Sequence, residues 1–232
     1  MEIARDAEAA ARLLAEAGLG GVFRPESVAA MELRTYADKE KVCGRGEELG
    51  GIYVVAAGRL KIYTVMPNGK SMLLRYSSVP MLIGDVEWST SSPACNTVEA
   101  SGPATLLFLG RAKVTAYEMN HPPFLHFMIR NLSHKVSTLG IGASTNLLYP
   151  TENRIASYLL TLLPADGGGG PDEEIRATNL MEMAELLGTS YRQLNRALKR
   201  LVDIGVLSRA RGRLAVLDEA RLRELADNHR YT

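Results

Sequence analysis

The sequence predicts an α+β chain, with strands gathered in its first half and helices in its second. Three observations support this. Between residues 33 and 109, short apolar runs alternate with Gly, Pro and Asn turn signals. From Pro122 to Tyr149, apolar residues recur at steps of four and three. From Thr178 to Arg213, two short helical patterns meet at Gly188 and lead into a pair of strand-like runs. The expected parts are residues 1–120, 121–149 and 150–232, and 232 residues suffice for two modest domains with their own cores.

In the first part, residues 52–55, 60–65, 72–76 and 105–109 read as strands with one buried face. Gly58-Arg59 and Pro67-Asn68-Gly69-Lys70 are hairpin signals between them. Many short strands at such spacing form a sandwich or barrel. The Ala-rich start, residues 4 to 17, reads as a short surface helix.

Pro122-Pro123 opens the middle helix and Pro150 stops it. Leu125, Ile129, Leu132, Val136, Leu139, Ala143 and Asn146 make a heptad seam over three repeats. Part of it can pack on the chain's own strands, but a seam of this length calls for a second helix, so a homodimer is expected. Asn146 would fix its register. Gly140 and Gly142 cost about 1 kcal/mol each relative to Ala, for close helix approach or as a flexible point. The hinge between domains is expected near Tyr149-Pro150.

In the last part, Asn179 and Glu182 form a capping-box pattern, with Leu180, Met183, Ala184 and Leu187 on one apolar face. Gly188 ends that helix and Ser190 caps the next. Leu194, Ala197, Leu198 and Leu201 then face inward, leaving Arg192, Asn195, Arg196 and Lys199 outside. Two short helices joined this way are a helix-turn-helix, whose second helix enters the major groove of DNA. A hairpin, or wing, turns at Arg211-Gly212. From Arg192 to Arg213 the only acidic residue is Asp203, although the whole chain carries a net charge of just +1. A local basic surface on a neutral protein is the footprint of a nucleic-acid partner. Tyr191, Arg192, Asn195 and Arg196 are expected to read base edges. Ser190, Lys199, Arg200, Arg209, Arg211 and Arg213 are expected on phosphates. Thr151 is expected to cap the helix that follows it, with Ile155, Ala156, Leu159 and Leu160 inward, and residues 165–174 read as flexible loop.

Other classes find less support. Two cysteines, Cys43 and Cys95, cannot supply a four-cysteine iron–sulfur or zinc site. The four histidines show no metal-ligand spacing, and none lies between residues 33 and 109, where a metal-dependent barrel enzyme would need them. No catalytic and no metal residue is assigned. Neither a transmembrane run nor a signal pattern is read, so the expected location is cytoplasmic, without a membrane partner.

Gly46-Glu47, Ile52-Tyr53, Gly58, Gly69 and Ile83-Gly84-Asp85 resemble the cyclic-nucleotide-binding β-roll of the CRP/FNR transcription regulators. The resemblance continues through the long helix into the winged helix-turn-helix, over residues 34 to 216. Residues 132–135, 149–154 and 187–192 look similar to the YeiL-type group. It implies a double-stranded β-helix (jelly roll), a dimerisation helix and a C-terminal winged helix-turn-helix. It also implies a dimeric sequence-specific regulator with RNA polymerase as partner.

Two departures stand out. Cyclic-nucleotide binders of the family carry Gly-Glu for the ribose hydroxyl and, some ten residues on, Arg-Ser or Arg-Thr for the cyclic phosphate. Here Gly84-Asp85 stands first and Cys95-Asn96 second, with no arginine between Arg75 and Arg111. A phosphate buried without a countercharge carries a desolvation cost that neutral partners recover only in part. The adenine-contacting pair falls at Leu139-Gly140, which lack side-chain donors. Cyclic AMP is therefore not expected, nor an iron–sulfur cluster, since the oxygen-sensing branch's N-terminal cysteines are missing; no cofactor is assigned. Another small-molecule effector near Gly84, Asp85, Trp88, Cys95 and Asn96, a ligand-free scaffold, and a Cys43–Cys95 redox pair stay open. The second departure is in the recognition set. The family's Arg, Glu and Arg are here Tyr191, Arg192 and Arg196, so the usual operator is not assumed. The rival class is a ligand-binding β-roll whose helical domain mediates protein association.

Overall fold

Two antiparallel sheets form the front of the chain in a computed structural model. It describes residues 1–69, 71–77, 79–163, 174–175, 180–210, 213–228 and 230–231, and the backbone alone of Asn146, Glu174, Ile175 and Arg213. In chain order come β1 (Glu2–Ala4), α1 (Ala7–Glu16), α2 (Pro25–Ala30), β2 (Glu32–Tyr36), β3 (Lys41–Cys43), β4 (Gly51–Ala57) and β5 (Leu60–Val65). β6 (Ser71–Tyr76), β7 (Met81–Ile83), α3 (Asp85–Thr90), β8 (Thr97–Ala100), β9 (Ala104–Gly110), α4 (Arg111–Lys113) and a π turn over Val114–Glu118 follow. One sheet runs β1-β2-β9-β4-β7 and the other β3-β8-β5-β6.

The core of this half follows from strand alternation. Tyr53 pairs with Phe108 and Val54 with Leu107, so Ile52, Val54, Leu107 and Leu109 share one face. They pack with Leu14, Phe23, Met31, Phe124 and Phe127 of the surrounding helical segments. Tyr53, Val55 and Leu106, on the opposite face, are also buried. Both faces of the sheet are therefore covered.

The expected surface helix near the start forms as α1, and the chain before it is extended. Residues 2–4 form a strand paired with β2, with Ile3 opposite Arg34. Asp6 caps α1 by accepting from the Ala9 amide at 2.9 Å, and Ala10 and Leu14 lie in the core.

The second half contains α5 (Pro122–Leu148), α6 (Thr151–Leu162), β10 (Glu174–Ile175), α7 (Leu180–Leu186), α8 (Tyr191–Asp203), β11 (Leu207–Ala210), β12 (Arg213–Val216) and α9 (Glu219–Leu225). The wing register pairs Ala210 with Arg213, and the expected turn at Arg211-Gly212 lies outside the described residues. β10 adds a third strand by pairing Glu174 with Ala215. This correction to the loop reading concerns residue 174, because two residues are too short to leave a pattern; residues 165–173 lie outside the described ones. Thr151 is the first helical residue rather than a cap, since Pro150 holds the cap position with no side-chain bond.

The chain divides into two compact units. One comprises Met1–Val65 with Arg75–Ser137, the other Met66–Leu74 with Thr138–Thr232. The division falls inside α5, not at Tyr149-Pro150.

Candidate nucleic-acid interface and effector pocket

The helix-turn-helix is assembled by local chemistry. Gly188 ends α7 at φ +59, a left-handed conformation in which glycine lacks the Cβ penalty. Ser190 caps α8: its hydroxyl accepts from the Gln193 amide at 3.2 Å, while its own amide donates to Gln193 Oε1 at 3.3 Å. Ser-x-x-Gln is the sequence signature of this capping box, and Gln193 adds the second arm to the expected Ser190 cap. The Asn179 half of the other box lies outside the described residues.

Leu194, Ala197, Leu198 and Leu201 are buried, each leucine contributing about 2 kcal/mol. Tyr191, Arg192, Arg196, Lys199 and Arg200 stand exposed on the other side. Arg154 fixes the start of α6 to the end of α7, donating from Nη1 to the Leu187 carbonyl at 2.6 Å and from Nη2 to Thr151 Oγ1 at 3.2 Å. It thus satisfies a carbonyl that the helix end leaves without a partner. Nothing local in the sequence marks that role.

Four expected DNA contacts are engaged within the unit: Ser190 as the cap of α8, Asn195 with Arg209, and Arg200. Asn195 is half-buried; its Nδ2 donates to the Tyr191 carbonyl at 2.9 Å and its Oδ1 accepts from Arg209 Nη1 at 2.8 Å. It ties the wing to α8, and both ends of its amide are occupied. Arg200 forms an ion pair with Glu152 of α6. Thr151, Glu152, Gln193, Arg196, Ala197 and Arg200 line a groove there. Arg211 and the Arg213 side chain lie outside the described residues.

Of the pocket candidates, Gly84 precedes α3 at φ +92, and a Cβ there would meet the Gly51 carbonyl oxygen at 2.9 Å. Asp85 is fully buried, ion-paired through Oδ1 with Lys135, while Oδ2 has no hydrogen-bond partner among the described residues. Lys135 also donates to the Leu82 carbonyl at 2.7 Å. One turn earlier on α5, Asn131 Oδ1 accepts from the Leu82 amide at 3.0 Å. Together these side chains satisfy the backbone of β7, the last strand of its sheet. Arg75 donates to the Lys135 carbonyl at 2.8 Å; burial lowers its pKa and the Asp85 charge counters that.

Lys135 is the only lysine or arginine between Arg130 and Arg154, a signal that a search for the partner of Asp85 could have used. Trp88 stacks under Arg111 at 4.8 Å, Asn96 is half-buried, and Cys95 is exposed, its amide donating to Glu87 Oε1 at 2.9 Å. Cys43 is buried, and burial, with the Glu87 charge adding, pushes its thiol up to about 12. At neutral pH it carries no thiolate, the form redox exchange requires.

The seam of α5 is graded. Leu125 and Leu132 pack partly against the core, but Ile129, Val136 and Leu139 are 58%, 72% and 46% exposed. Ala143 is exposed, and the side chain of Asn146 lies outside the described residues.

The model of the cyclic nucleotide-binding domain matches residues 33–121, and that of the Crp-like helix-turn-helix domain matches residues 153–225. The chain belongs to the CRP/FNR family. Among CRP/FNR relatives, it is 23% identical to the regulatory protein YeiL of Escherichia coli O157:H7, over 92% of this chain and 94% of that protein. It is 25% identical to the cyclic AMP receptor protein of Thermus thermophilus, over 83% of this chain and 87% of that one. A transcriptional regulator of the CRP/FNR family from Thermus thermophilus superposes with a TM-score of 0.71 at 19% identity, over 84% of this chain and 98% of that chain. The c-di-GMP-responsive regulator CLP of Xanthomonas campestris superposes at 0.70, also 19% identical, over 82% and 95%. These likenesses give the fold: a β-roll, connecting helices and a Crp-like helix-turn-helix. This CRP/FNR chain is a transcription regulator with a helix-turn-helix DNA-binding domain.

Proposed function

We propose that the protein is a dimeric, sequence-specific DNA-binding regulator of the cytoplasm, with RNA polymerase as partner and with control that does not run through cyclic AMP. The observation that carries DNA reading is the division of α8, whose buried leucines oppose an exposed row of Tyr191, Arg192, Arg196 and Lys199. In this reading Tyr191, Arg192 and Arg196 read base edges, with arginine on guanine O6 and N7. Ser190, Lys199, Arg209, Arg211 and Arg213 contact phosphates. Asn195 holds Arg209 in place rather than reading a base itself.

The exposed seam of α5 supports dimerisation. A two-fold pair would meet half-sites about 34 Å apart. The domains in this reading are the roll over 1–120, the dimer helix over 121–149 and the DNA-binding domain over 150–232.

Against cyclic AMP stand a buried Asp85 already paired with Lys135, and Cys95-Asn96 in place of an arginine pair. The residues present do not fit a cyclic phosphate. The test is a mobility shift on mixed-sequence duplex over a salt series, with and without cyclic AMP. The expected result is binding that falls linearly in log–log form with salt, at the same affinity in both arms. Binding without a salt slope, or binding only with the nucleotide, contradicts the proposal.

A further inference from the structure

We propose that Glu152 limits the affinity of this protein for DNA by holding Arg200 in an intramolecular ion pair, withholding one cation from the phosphate backbone. The inference rests on the DNA-binding reading above. Arg200 belongs to the exposed face of α8 and lines the same groove as Arg196, one helical turn away. Its side chain is 62% exposed, yet its guanidinium is spent on a carboxylate 48 residues earlier in the chain.

That carboxylate is well anchored. Glu152 sits in the first turn of α6, where the helix dipole favours a negative charge, and its side chain is only 20% exposed. Arg154, two residues on, locks this turn to the end of α7. The stretch from Arg192 to Arg213 has one acidic residue of its own, Asp203, so the fold brings Glu152 in from outside to a face otherwise built of cations. A hydrogen bond between two charged groups is about twice as strong as a neutral one. A phosphate approaching Arg200 must displace a partner held in place by the fold.

Non-specific affinity comes from neutralised phosphates, each contributing about −0.9 to the slope of log K against log salt. Releasing Arg200 therefore adds affinity on every sequence and steepens that slope. Glu152 is in this sense a positioning residue, and the slope is a readout that a purely structural role would leave unmoved.

The experiment measures anisotropy of mixed-sequence duplex with the full chain as wild type, Glu152→Gln, Arg200→Ala and the double variant. Thermal melts check that each is folded. Glu152→Gln should bind more tightly and steepen the slope by about 0.9, so its gain at about 50 mM salt exceeds that at about 200 mM roughly 3-fold. In the Arg200→Ala background the gain should vanish. An unchanged slope in Glu152→Gln overturns the inference. So does an equal gain in both backgrounds, which would make Glu152 a charge that repels DNA directly. A wild type that binds without salt dependence overturns the DNA-binding reading itself, and the role of Glu152 with it.

Discussion

Replacing Val136 by aspartate should convert the protein to a monomer without unfolding it. Val136 is 72% exposed in the single chain, midway along the α5 seam between Leu132 and Leu139. Fully burying an aliphatic side chain contributes about 1.5–3 kcal/mol, so covering the exposed share of this one contributes about 1–2 kcal/mol. A two-fold interface counts it twice, about 2–4 kcal/mol, or roughly 30- to 1,000-fold in the dimer dissociation constant. Aspartate adds two facing carboxylates, so the loss should reach at least the upper end. Within one chain the site is open to water, and such substitutions usually change stability by less than about 0.5 kcal/mol. Sedimentation velocity over a concentration series reads the assembly, with thermal melting in parallel. Ser137→Asp, also exposed but one step off the seam, is the control. If Val136→Asp dissociates no more than Ser137→Asp, the seam is not the interface.

Four further outcomes are expected. Arg196→Ala should cost about 1–3 kcal/mol on a selected operator and relax preference at one base pair. Arg211→Ala should weaken all sequences similarly and lower the salt slope; equal losses by both on operator and random duplex would remove Arg196 from base readout. Ser190→Ala should destabilise the helix-turn-helix by about 1 kcal/mol, read as a lower denaturation midpoint, since it deletes one arm of the capping box. Folding raises the Cys43 thiol from its ordinary 9.0 to about 12, so its contribution to stability is complete below pH 9 and is lost as pH rises toward 12. Cys43→Ala should therefore lose less stability than wild type across that window in urea titrations, and equal losses would contradict the burial argument.

The parts legible in the sequence are those set by periodicity and local chemistry. The inward residues of α8, the left-handed Gly188 and the pairing of β11 with β12 all follow from patterns within a few residues. The strands β4, β5 and β9 are also legible, as apolar runs between turn signals. The expectation of one buried face fails for β4 and β9, which are covered on both because helical segments and the second sheet flank them. What escaped was non-local or very short. β1 and β10 span three and two residues and exist because a partner strand offers hydrogen bonds. The pairs Asp85–Lys135, Arg200–Glu152 and Asn195–Arg209 join residues 50, 48 and 14 positions apart. Spacing along a single chain says nothing about them. Each assigns a partner to a group that composition alone leaves free to meet a ligand or DNA.

Selection of bound duplexes from a random library by the purified protein, without added nucleotide, tests the central claim most directly. A dimeric reader that does not depend on cyclic AMP should enrich an inverted repeat with half-site centres about 34 Å apart, unchanged when cyclic AMP is present. A single unrepeated half-site, or enrichment only in the presence of cyclic AMP, would contradict it.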